Sequence, residues 1–168
     1  LNRKYLEYTA VMLCSLCENN HEHIDAYILH SELTDKDINT LKNSLSKYDI
    51  TIIPLMINRS DFDTRLPRNS QWSIETYYRL MLMDILPDNI DRILYLDVDL
   101  IINGSVEEFY HVDFKGYEVI VADDSNDKRS RDTFGSKQAE MFKDMLDNGL
   151  RYFNAGVMYV KDVEETHS

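Results

Sequence analysis

Apolar residues recur along this chain with two different periods. Over 5–19, Tyr8, Met12 and Leu16 fall on one stripe with Val11 beside it, a spacing that predicts an amphipathic helix. Residues 24–29, Ile-Asp-Ala-Tyr-Ile-Leu, read as a strand. Thr34 suits the N-cap of a second helix over 35–48, in which Ile38, Leu41, Leu45 and Tyr48 share a face. Residues 50–57 are apolar and β-branched, and Pro54, lacking an N–H, sends that strand to a sheet edge or a bulge. The stretch 58–71, with Arg59, Arg65, Pro67 and Arg68, has no period and reads as a surface loop.

Ser73 offers the N-cap of a third helix, whose apolar face is Ile74, Tyr77, Tyr78, Met81 and Ile85 before Pro87-Asp88 stops it. Ile93-Leu94-Tyr95-Leu96 and Val119-Ile120-Val121-Ala122 are apolar on both faces, as strands of a parallel sheet covered by helices must be. A helix over 136–146, a turn at Asn148-Gly149 and a last strand over 153–160 complete the pattern. Such alternation predicts doubly wound α/β layers in one domain over 1–168, with the ligand site at the carboxyl ends of the strands. Asp97, Asp99, Asp123 and Asp124 all stand at such ends.

Composition narrows the partners. With 43% hydrophobic residues in 168 the chain can bury a core, and 30 acidic against 18 basic residues give a net charge of −12. That field repels nucleic acid and attracts cations. No apolar run approaches the roughly 18 residues that span a bilayer, so a soluble chain without a transmembrane segment is expected. It opens at Leu1 with no leader pattern, as a processed chain or a fragment would. Cys14 and Cys17 have redox spacing but fall near the end of the first helix, not at its N-terminus, and are expected to be buried, inert thiols.

Asp97-Val98-Asp99 is the sharpest chemical feature. Two carboxylates closing a buried strand repel each other and lose hydration unless a hard divalent ion such as Mn²⁺ or Mg²⁺ compensates them. An EF-hand fails on register, because Ile101 and Ile102 fall where an oxygen ligand and the glycine belong. The five glycines form neither a Walker loop nor a dinucleotide fingerprint.

Tyr77-Tyr78-Arg79-Leu80, then Arg92-Ile93-Leu94-Tyr95-Leu96-Asp97-Val98-Asp99, then Phe153-Asn154-Ala155-Gly156-Val157 resemble glycosyltransferase family 8 in order and spacing. The resemblance implies a nucleotide-diphospho-sugar transferase fold of type A, Rossmann-like and mostly parallel, incomplete here at both ends. It implies retaining transfer of a hexose, glucose or galactose, from a UDP-sugar to a saccharide or glycolipid acceptor of a cell-surface or storage glycan. Mn²⁺ (or Mg²⁺) is the implied cofactor, and the implied location is cytoplasmic, at most peripheral to the inner face of the membrane. Oligomeric state stays open.

Residue by residue, the resemblance makes Asp97 and Asp99 the metal carboxylates and sets Val98 near the ribose. Arg79 matches the family arginine that reaches toward the donor sugar and phosphate, and Tyr5 falls near an aromatic ring that packs on uracil. Asp124 matches a carboxylate that contacts the sugar, with Asp123 its nearest competitor, and Asn154 and Ala155 match the turn lining the donor sugar. Asn2 and Lys4 stand where the family grips uridine with an acid and an amide, and nothing after Val160 matches the family's third metal ligand or its diphosphate-binding Lys. The chain is therefore expected to be the nucleotide-binding part of a longer enzyme. Two alternatives accompany that reading. One is a non-catalytic UDP- or metal-binding fragment. The other is a haloacid-dehalogenase-like phosphotransferase using Asp97 and Asp99, for which the step from Asp99 to Asp124 is too short to hold the intervening elements.

Overall fold

The computed structural model describes residues 1–58, 79, 82–123, 143–144, 147–149, 151 and 153–161. The predicted loop 58–71 beyond Asn58, most of the helix that begins at Ser73, the helix over 136–146 in large part, and Asp124 lie outside them. The chain forms two compact units, Leu1–Asn89 with Asp97–Val112, and Ile90–Leu96 with Asp113–Ser168.

In the first unit a 3-10 turn, Arg3–Tyr5, leads into α1, Leu6–Glu18. Its buried side chains are Thr9, Met12, Leu13 and Leu16, one face at i, i+3, i+4 and i+7. This corrects the predicted stripe, because Tyr8 and Val11 are more than half exposed. Polar Thr9 can occupy the inner face because its hydroxyl donates to Tyr5 O at 2.9 Å, so no hydrogen-bonding group is lost on burial. β1, Ile24–His30, and β2, Ile50–Met56, pair in parallel. Ile24 N donates to Asp49 O and Ile57 N donates to His30 O, so odd-numbered β2 residues turn their backbone groups toward β1. Pro54 therefore has its nitrogen on the outer side, where a missing N–H costs no ladder bond.

α2 covers Asp35–Ser44, shorter than the 35–48 expected from periodicity. Thr34 caps it reciprocally: its hydroxyl accepts from Asp37 N, and Asp37 Oδ2 accepts from Thr34 N at 2.9 Å. Ile38, Leu41 and Leu45 are buried with Met12, Leu13, Leu16, Ile28 and Ile52 in this unit's core. Among its described residues are also two short helices, α3, Leu82–Ile85, and α4, Glu107–Tyr110.

The second unit is a three-stranded sheet ordered β3-β5-β4, with β3 Arg92–Leu96, β4 Val119–Asp123 and β5 Phe153–Lys161. Both outer strands run antiparallel to β5 and hence parallel to each other. The expected parallel direction thus holds for β1 with β2 and for β3 with β4, while β5 reverses between the latter pair. The expected coverage of both faces is not met either: no residue of β3 or β4 is fully buried, and Val119 on β4 is 43% exposed. Tyr159 on β5 is fully buried against Phe114, ring centroids 4.5 Å apart.

Candidate functional site

The chain leaves β3 at Asp97 and turns at Val98 and Asp99, so the two carboxylates stand at a strand's carboxyl end. Arg79 Nη2 donates to Asp97 Oδ1 at 3.1 Å, with 14% of the Arg79 side chain and 32% of the Asp97 side chain exposed. Asp99 is exposed and Val98 half-buried. Two oxygen donors on an open turn suit a hard cation and leave coordination positions for water or a ligand. Among the described residues no group of three or more His, Cys, Asp or Glu gathers to hold a metal.

The segment that follows has little regular structure, and the end of α1 fastens it. Ser15 Oγ accepts from Ile102 N at 2.9 Å, and Asn19 Nδ2 donates to Ile102 O at 2.9 Å. Buried Asn20 accepts from Val106 N at 2.7 Å and from Ser105 Oγ at 3.1 Å, and its Nδ2 donates to Leu16 O at 2.6 Å. His21 N donates to Glu107 Oε1 at 2.8 Å, a bond that holds the Glu107 carboxyl below its ordinary range. Sequence reasoning missed all four of these anchors.

Tyr5, 36% exposed, lies at the junction of the 3-10 turn and α1, its ring 5.8 Å from that of Tyr8 and 5.6 Å from Lys4 Nζ. Contacts with the end of β1 and the start of α2 hold this corner. The Leu1 nitrogen donates to Leu29 O at 2.6 Å, Arg3 N donates to Glu32 Oε1 at 2.9 Å, and the Arg3 guanidinium reaches Asp37 Oδ1 at 2.9 Å. Asn2 Oδ1 and Ser31 Oγ here are buried polar atoms without a hydrogen-bond partner among the described residues. Such atoms are costly to leave unpaired.

In the second unit, Asp123 at the end of β4 accepts from Arg151 Nη1 at 2.6 Å, which commits it to an ion pair. The register of β5 jumps beside it: Val121 faces Met158, but Ala122 faces Asn154. Ala155, Gly156 and Val157 thus bulge out of the β4 ladder, and Asn154 Oδ1 accepts from Gly156 N at 2.8 Å to brace the bulge. Asp124 lies outside the described residues, while Arg79 and Asp97 are brought into contact. Cys14 and Cys17 are free and half-buried, and burial pushes the Cys17 thiol up, away from reactivity.

A strand-end carboxylate pair with an arginine beside it, on a mixed α/β chain, defines the class: the chain belongs to glycosyltransferase family 8, whose model matches residues 1–166. It is similar to a lipopolysaccharide 1,2-glucosyltransferase of Escherichia coli, 31% identical over 161 residues that make up 95% of this chain and 45% of that protein. The chain thus spans less than half the length of that relative. Among solved structures it is similar to the galactosyltransferase LgtC in complex with donor and acceptor sugar analogs, at TM-score 0.73 and 22% identity, over 94% of this chain and 54% of that one. The bifunctional glycosyltransferase WbbM in its apo form matches at TM-score 0.75 and 17% identity, over 96% of this chain and 30% of that one. These likenesses establish the type A glycosyltransferase fold. Among the described residues no helix is long and apolar enough to cross a membrane.

Proposed function

We propose that this chain forms the donor-binding part of a retaining hexosyltransferase that moves glucose or galactose from a UDP-sugar to a saccharide of a lipopolysaccharide-like or other cell-surface glycan. The observation that carries the reading is the Arg79–Asp97 contact at the Asp97-Val98-Asp99 turn. It gathers anionic ligands for a cation and a cationic ligand for phosphate in one place. Asp97 and Asp99 would hold Mn²⁺ or Mg²⁺, and the ion would supply neutralisation of the negative charge that grows on the departing diphosphate. Arg79 adds a fixed positive charge beside those carboxylates, suited to the same diphosphate. Tyr5 offers an exposed ring for uracil, with the unpaired Asn2 and Ser31 oxygens among the polar groups of its corner.

Asn154 and Ala155 are assigned to the donor sugar and Asp124 to holding that sugar. No side chain is assigned as a covalent nucleophile. Retention then follows from same-face attack, the leaving diphosphate taking the acceptor proton. The names of the relatives, one a glucosyltransferase and one a galactosyltransferase, support a hexose donor. Family membership leaves the phosphotransferase alternative without support.

Calorimetric titration of UDP with and without Mn²⁺ tests the reading on the native chain, Asp97→Asn and Asp99→Asn. Each variant should lose at least about tenfold in Mn²⁺-dependent UDP affinity, since a negative ligand goes with each change. Unchanged affinity in both would overturn the metal assignment. Turnover of UDP-glucose and UDP-galactose by a longer protein that contains this part separates an enzyme from a non-catalytic binder.

A further inference from the structure

No helix or strand follows the Asp97-Val98-Asp99 turn until α4 begins at Glu107. Residues 97–106 belong to neither helix nor strand, and their backbone groups must find partners elsewhere. Ile102 finds its partners in Ser15 Oγ on α1 and Asn19 Nδ2 at the C-cap of that helix. Val106 N and Ser105 Oγ both converge on Asn20 Oδ1. Asn20 is 7% exposed, and its amide is satisfied at both ends, by the segment on its oxygen and by Leu16 O on its nitrogen. An aliphatic residue would break both links, and an acid would keep only the oxygen's role.

These bonds sit three to nine residues beyond the carboxylates, and Arg79 secures the near end at Asp97. A metal site weakens when its ligands wander by even a fraction of an ångström, so what fixes the backbone behind two carboxylates sets how well they hold an ion.

We propose that Asn20, with Ser15 as its second, is a positioning residue for the metal–diphosphate site, acting through the backbone of 102–106 and touching no ligand itself. The proposal rests on the assignment of Asp97 and Asp99 to a metal. It adds a role to the end of a helix that carries no ligand-binding group.

The test uses Asn20→Ala, Asn20→Asp, Ser15→Ala and the conservative Ser15→Thr in the full chain. Amide hydrogen exchange is read at Ile102 and Val106, and affinities are measured for uridine, for UDP without metal and for UDP with Mn²⁺. In Asn20→Ala the Val106 amide should lose its protection, and Mn²⁺-dependent UDP binding should weaken about five- to tenfold while uridine binding stays within about twofold. Asn20→Asp should keep Val106 protection and recover part of the affinity, because its carboxylate can still accept from Val106 N. Ser15→Ala should expose Ile102 N and weaken the same step, and Ser15→Thr should restore it.

A residue that served stability alone would lower uridine and Mn²⁺-UDP affinity together, and that result overturns the proposal. So does unchanged Mn²⁺-UDP affinity in both Asn20→Ala and Ser15→Ala. If Asn20→Ala does not fold, the Ser15 pair decides. Native chain that binds UDP with no dependence on Mn²⁺ refutes the metal assignment and this proposal with it. Native Mn²⁺ dependence that survives both variants refutes the proposal alone.

Discussion

Removal of Arg79 should move two affinities in opposite directions. Its guanidinium lies 3.1 Å from Asp97 Oδ1, so any cation that shares this carboxylate must compete with it. At an effective dielectric of about 20, unit charges about 3 Å apart attract by roughly 5 kcal/mol. Desolvation and solvent screening bring the net value of a partly exposed pair to about 1 kcal/mol, or about fivefold in an equilibrium constant. Arg79→Ala should therefore bind Mn²⁺ alone about fivefold more tightly than the native chain. The same variant should bind UDP at saturating Mn²⁺ at least about tenfold more weakly, since a charge-assisted bond to phosphate contributes about 1.5–3 kcal/mol. Arg79→Lys keeps the charge and loses the fork, so its Mn²⁺ affinity should stay native-like while UDP weakens. Paramagnetic resonance of unbound Mn²⁺ measures the first quantity and calorimetry the second, with circular dichroism as the check on folding. Mn²⁺ binding that weakens or does not change in Arg79→Ala would show that Asp97 is not a metal ligand in competition with Arg79.

Tyr5→Ala should cost about 1–3 kcal/mol of stacking, the same for uridine, UDP and UDP-hexose, whereas Arg79→Ala should spare uridine; equal losses for all three ligands in both variants would contradict this division. Acid should loosen the corner that carries Tyr5, because the hydroxyl and N–H of Thr34, and then Arg3, hold the Asp37 carboxyl at about 2 against an ordinary 3.8. A depressed carboxyl stabilises the fold fully above the ordinary value and loses that contribution as pH falls from about 4 toward 2. Urea midpoints between pH 6 and pH 2 should fall more steeply in the native chain than in Asp37→Asn, and parallel curves would refute the assignment.

What was legible in the sequence is what is local. α2 carries its own start signal in Thr34 and its own face in Ile38, Leu41 and Leu45, which behave as their spacing predicts, whereas Tyr48 lies past its end. Asp97-Val98-Asp99 was legible for the same reason, since the strand that positions the motif immediately precedes it. The face of α1 was misjudged because hydropathy ranks Tyr8 and Val11 above Thr9, and no scale knows that the Thr9 hydroxyl is satisfied within its own helix. The reversed direction of β5 left no trace in its composition. Ser15, Asn19 and Asn20 read as ordinary polar residues at a helix end, because their partners in the carboxylate segment lie 83 to 87 residues further along the chain.

α1 therefore has a structural role that its own residues do not announce. Its N-terminal end carries Tyr5, fixed by Arg3 to Asp37 and Glu32. Its C-terminal end fastens the segment that begins with Asp97 and Asp99. Thirteen residues of helix make a bar about 20 Å long. Asp97 stands five residues before Ile102, the residue that the end of α1 fastens. A base-stacking ring and a diphosphate-binding turn must keep a set separation if one nucleotide is to engage both. On the roles proposed for Tyr5 and the Asp97-Val98-Asp99 turn, reference of both to α1 supplies that constraint. Met12, Leu13 and Leu16 keep the bar in place through apolar burial, which frees the polar residues at its two ends for the positioning role proposed for them.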